Sequence, residues 1–150
     1  MFGERTDQIA TRLDRCARGA GALIVQGGIN DIAQGRDVRE AAENLRAMVR
    51  RGRERGLRVM VADVLPWNNG DGRAARDIMR LNNLIDRMAR DEHVPVLCFN
   101  RALADPRDPG RMDPGLTADG DHPNVAGYRR LGRLVTPPRR PSARARSRCS

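Results

Sequence analysis

A chain of 150 residues is long enough for one domain with a sizeable core and short for two. Its net charge of +9 comes entirely from arginine, with no lysine, and the arginines alternate with Asp and Glu except in residues 136–150, where five stand with no acid. That spread argues against a nucleic-acid face, which needs clustered charge. No stretch approaches the ~18 apolar residues of a membrane span. The start, Met1-Phe-Gly-Glu-Arg, lacks a secretory signal's basic and apolar regions, so the cytoplasm is the default expectation.

Thr6 to Arg18 reads as a helix with Ile9, Leu13 and Cys16 on one face. Ala22 to Gln26 is a short apolar run of the buried-strand kind. Asp37-Val-Arg-Glu40 has the form of a capping box and opens a helix that turns Ala41, Leu45, Met48 and Val49 inward and stops at Gly56. Arg58 to Leu65 is the second strand run. A long helical pattern from Arg73 to Asp91 carries Ile78, Leu81, Leu84, Ile85 and Met88, and Val94 to Phe99 is the third strand. A last helix is expected from Pro123 to about Val135, and residues 136–150, rich in Pro and Arg, are expected to be disordered. The domain therefore spans 1–135. Cys16 and Cys98 read as small core residues, and with Cys149 they form no metal-ligand spacing and demand no oxidising compartment.

Alternating helices and strands predict an α/β fold with a parallel sheet. In such sheets ligands bind beyond the carboxyl ends of the strands. Three polar clusters fall there: Gly27-Gly28-Ile29-Asn30-Asp31, Trp67-Asn68-Asn69, and the segment holding Asp119 and His122. Asp119, three residues before His122, is placed either to orient the imidazole as a general base or to cap the helix that follows. Pro123 keeps His122 out of the helical conformation. Asn30, after two glycines, either donates its amide to a developing oxyanion, a contact worth ~3 kcal/mol of barrier, or ends a turn. Asp31 is expected to hydrogen-bond local backbone. Gly28 and Trp67 are candidate pocket-lining residues, Trp67 equally a core residue. Asp119, Asp121 and His122 lie too close together to surround a metal ion. His93, in a polar turn, is expected to be solvated.

These residues resemble the SGNH hydrolases, also called GDSL lipases and esterases. Gly28-Ile29-Asn30-Asp31 is similar to their GxND block. Asp119-Gly120-Asp121-His122-Pro123-Asn124, with Gly127-Tyr128, is similar to their DGxHPN…GY block, and the resemblance covers about residues 2 to 135. It implies a flavodoxin-like three-layer α/β/α fold with five parallel strands. It also implies hydrolysis of small-molecule, carbohydrate or lipid esters through an acyl-serine, with no metal or other cofactor. His122 would be the base and Asp119 its orienting carboxylate. Asn30 would donate to the oxyanion through its side chain and Gly3 through its backbone N–H.

The chain departs from that pattern in its nucleophile. The family's Gly-Asp-Ser block would lie upstream of Gly3, and the serines present are Ser142, Ser147 and Ser150. Loss of the nucleophile costs ~10⁶ in turnover, so this chain alone is expected to be inactive. The implied fold would lack its first two strands, leaving the strand at Ala22 as an unpaired edge prone to aggregation. A truncated hydrolase is the reading this favours. The alternatives are a binding module that kept the fold without the serine and, from the arginine content alone, a nucleic-acid-binding protein.

Overall fold

The computed structural model describes residues 3–135. Three strands, β1 (Ala22–Val25), β2 (Arg58–Ala62) and β3 (Val96–Leu97), form a parallel sheet in the order β1-β2-β3. Val25 stands beside Val61, and Val61 beside Val96. Among the described residues β1 pairs with β2 alone, and Ile24 on β1 is 38% exposed. The edge expected from the sequence is therefore present. The tail expected to be disordered lies outside the described residues.

Alternation along β2 separates two cores. Val59 and Val61 face Leu45 and Val49 of α4 (Val38–Glu54) and Leu81 and Ile85 of α5 (Gly72–Asp91). Met60 and Ala62 face Leu97, Phe99 and Leu103 of α6 (Phe99–Leu103), together with Met112 and Leu131 of α7 (Val125–Gly132). Helices therefore cover both faces of the sheet, as the α/β sandwich requires. The helix boundaries follow local chemistry. Asp37 accepts from Arg39 N to start α4, and Asp71 accepts from Ala74 N to start α5. Gly56, at φ +74°, ends α4 in the conformation glycine allows. The buried carboxylate of Glu92 meets Arg46 and Arg50, tying α4 to the end of α5.

Four elements depart from the sequence pattern. The first helical pattern is broken at Arg12 into α1 (Thr6–Thr11) and α2 (Leu13–Cys16), so Leu13 stays buried and Cys16 turns out to solvent. Cys16 is therefore not a core residue; it meets the Arg12 guanidinium at 3.2 Å. The stretch 104–112 forms an antiparallel hairpin of β4 (Ala104–Asp105) and β5 (Asp108–Met112), anchored by the fully buried Met112. The residues after Gly28 form a short helix, α3 (Ile29–Ala33). The last helix begins at Val125, because Pro123 is bridged to Thr117 and Asn124 is the cap, accepting from Gly127 N.

Candidate active site

The chain leaves β1 through Gly28, whose φ of +116° suits glycine. A Cβ there would stand 2.4 Å from the Leu81 side chain. Gly28 is thus buried under α5. Asp31 is 3% exposed and accepts from Thr6 N at 2.9 Å and Thr6 Oγ1 at 2.7 Å. It reaches 25 residues back to fasten the start of α1, so it does more than close a local turn. Thr6 is itself fully buried and also receives the Asn44 amide.

Asn30 lies in the first turn of α3. Its amide donates to the Glu4 carbonyl at 3.0 Å, which commits one of its two N–H groups and leaves the other. Gln34, one turn on, donates to the Gly3 carbonyl at 3.2 Å, and Arg5 donates to Gln34 Oε1. Arg12 holds the Glu4 carboxylate at 2.6 Å. Gly3 and Asn30 are thereby brought into one small network at the end of β1.

On the other side, Asp119 and His122 form a pair. Asp119 Oδ2 lies 2.8 Å from His122 Nδ1, while Oδ1 accepts from the backbone N–H groups of Asp121 and His122. These contacts, the imidazole first, hold the Asp119 carboxyl down at about 2. A carboxylate on Nδ1 requires that nitrogen to carry the hydrogen, so Nε2 of the neutral ring presents its lone pair. Nε2 has no partner among the described residues, and the His122 side chain is 66% exposed. One oxygen of Asp121 is shielded from solvent and has no hydrogen-bond partner among the described residues.

The loop carrying this pair is stitched by side-chain amides. Asn68 Oδ1 accepts from Met112 N and its amide donates to Met112 O, while Asn68 N donates to Gly120 O. Arg111 donates to the Asn68 carbonyl. Asn69 donates to Asp119 O at 3.0 Å. Thr117 Oγ1 donates to His122 O and accepts from Gly120 N, and the Asn124 amide meets the carbonyls of Gly115 and Thr117. Gly127 lets α7 press on this loop, since a Cβ there would meet Leu116 O at 2.4 Å. The signal for Asn68 and Asn69 was their place just past a strand end; that for Thr6 and Asn44 was absent.

Asn69 also lines a cleft of about 350 Å³ with Trp67, Ile32 and Ala33. The half-buried Trp67 ring packs over Gly70 and Ala74, at the start of α5. α3 and the Asn68-Asn69 loop thus share a cleft lined by the one tryptophan of the chain. His93 is exposed, and among the described residues its ring meets the Asp91 carbonyl alone. Beyond the end of β2, buried Asp63 accepts from Asn100 N at 2.7 Å and is pushed by desolvation up to about 7.

The fold and these loops define an α/β protein with an imidazole–carboxylate pair at the carboxyl edge of its sheet. The GDSL-like lipase/acylhydrolase family matches residues 2–130, and the chain belongs to that family of hydrolases. Among solved structures it is similar to a GDSL-like lipase from Bacteroides thetaiotaomicron, with 21% identity and a TM-score of 0.80 over 89% of this chain and 69% of that one. It is also similar to an acetyl-xylooligosaccharide esterase from Geobacillus, with 17% identity and a TM-score of 0.70 over 88% and 66%. The OSK domain of Drosophila Oskar shares the fold too, with 20% identity and a TM-score of 0.72 over 89% and 69%. No curated protein matches.

Proposed function

We propose that this site performs acyl transfer from an ester to water, with His122 as general base and Asp119 as its orienting carboxylate. Nε2 would take the proton of a serine hydroxyl, and the Asp119 carboxylate would stabilise the imidazolium that results. The free N–H of Asn30 and the backbone N–H of Gly3 would bind the oxyanion of the tetrahedral intermediate. The observation that carries this reading is the 2.8 Å contact between Asp119 and Nδ1, which leaves Nε2 the open nitrogen. A cap needs no such ring contact, and α7 is already capped by Asn124. The cleft beneath Trp67 would hold the acyl or alcohol part.

No serine lies among the described residues, so the base acts on a nucleophile they do not supply. On this reading the 150-residue chain by itself hydrolyses esters no faster than background. In the product of the whole reading frame that contains it, Asn30→Ala should slow 4-nitrophenyl acetate turnover by about 10²-fold with little change in KM. An equal rise in KM at constant kcat would assign Asn30 to ground-state binding instead.

The lack of a serine among the described residues also favours a second reading, a binding module that keeps the fold. The OSK domain shows that the fold is not tied to a protein named for hydrolysis. Retained binding of an ester ligand in the cleft, with no turnover from the whole reading frame, would support it.

A further inference from the structure

The cleft beneath Trp67 does not end at α5. It shares Gly35, Arg73 and Asp77 with a second cavity of about 500 Å³, lined also by Arg36, Asp37, Arg76 and Arg80. Arg73, Arg76 and Arg80 fall at i, i+3 and i+7 on α5. They form one stripe about 10 Å long at 1.5 Å per residue. Arg36 faces them from the loop before α4. Four guanidinium groups against the carboxylates of Asp37 and Asp77 leave the trough positive, while Asp71 lines the adjoining cleft at the Trp67 end. Asp77 occupies Arg73 and Arg80 only at 3.6 and 3.5 Å, and Arg36 reaches Glu40 at 3.9 Å. Arg76 has no hydrogen-bond or ion-pair partner among the described residues. The end lined by Trp67, Ile32, Ala33 and Asn69, beside the Asp119 loop, thus opens into a trough of fork-shaped donors, the geometry that suits a carboxylate.

We infer that the site takes esters whose acyl part ends in a carboxylate, monoesters of dicarboxylic acids being the simplest. The ester lies toward Trp67 and Asn69, the chain crosses Ile32, and the carboxylate sits among Arg36, Arg73, Arg76 and Arg80. This rests on reading the site as that of an ester hydrolase, yet it is tested by binding, which needs no nucleophile.

Trp67 is the single tryptophan and lines the cleft, so its fluorescence reports occupancy. The probes are monomethyl suberate and its neutral twin, dimethyl suberate, titrated into the 150-residue chain. At low salt the anion should bind roughly five- to tenfold tighter. In 1 M salt, where the screening length is ~3 Å, that preference should vanish. In an Arg76→Gln, Arg80→Gln double variant, both exposed positions, the ratio should fall to about one. Equal affinity for the twins at low salt, or a ratio untouched by the double variant, overturns the inference. So does tighter binding of a short oligothymidylate or of anionic phospholipid vesicles with the same loss in the variant, which would assign the trough to a macromolecular surface. A preference for the anion without His122-dependent turnover in the whole reading frame rejects the hydrolase reading alone. His122-dependent turnover with no such preference rejects the trough alone.

Discussion

The edge of the sheet holds two kinds of carboxylate. Asp31 and Asp63 are 3% and 4% exposed, while the Asp119 side chain is 54% exposed. Asp63 is pushed up to about 7 by loss of water, and Asp119 is held at about 2 by the imidazole and two backbone N–H groups. Burial and hydrogen bonding pull a carboxyl in opposite directions, and here each dominates in a different place. The buried pair belongs to the framework that aims α1, α3 and α6. The exposed one belongs to the proposed site. Changes at the first should cost stability, and changes at the second should cost geometry while the fold survives.

The comparison breaks most visibly at the buried end. Asp63 keeps a proton in the folded state that the unfolded chain releases near its ordinary value of 3.8. The folded state therefore binds the extra proton between about pH 4 and 7, and stability falls as pH rises through that window. The loss should be on the order of 3–4 kcal/mol, read as the unfolding free energy in urea against pH, and it should shrink in Asp63→Asn. A flat profile would show that Asp63 ionises freely in the fold. Asp31→Ala leaves the buried N–H and hydroxyl of Thr6 without their acceptor and should cost about 3 kcal/mol. A loss below about 1 kcal/mol would place the α1–α3 tie elsewhere.

Gly28→Ala combines a left-handed backbone with a clash against Leu81 and should cost about 2–3 kcal/mol in the same assay. Asn68→Ala removes two contacts to Met112 and should cost about 1–2 kcal/mol. Amide exchange at Gly120 and His122 should rise ahead of that in α5. At the exposed end, the Asp119 carboxyl resonance should titrate near 2 and return toward the ordinary carboxylate range in His122→Ala, with the unfolding midpoint nearly unchanged. A shift of the midpoint comparable to Asp31→Ala would erase the distinction between framework and site.

The parts of this arrangement that the sequence made legible are those with a short period. Val59 and Val61 alternating with Met60 and Ala62 marked a strand covered on both faces, and Leu45, Met48 and Val49 marked the inward stripe of α4. The pair Asp119 and His122 was legible because its partners lie three residues apart. What escaped depends on contacts distant in the chain. The periodicity of residues 6–18 carries no sign of the break at Arg12, which rotates Cys16 outward. Asp31 looked like a local turn residue because Thr6, its partner, is 25 positions away. Asn68 supports the proposed site through Met112, 44 positions on, in the β4–β5 hairpin. The arginine trough also needed the fold, since Arg36 and the stripe on α5 meet only when α3 and α5 are placed side by side.

We propose that His122, oriented by Asp119, is the base of an acyl-transfer site. The most direct test is the turnover of 4-nitrophenyl acetate by the product of the whole reading frame containing this chain, with and without His122→Ala. With His122 as the base, the substitution lowers kcat by ~10⁴–10⁶-fold with the fold intact. Turnover undiminished in His122→Ala would contradict it.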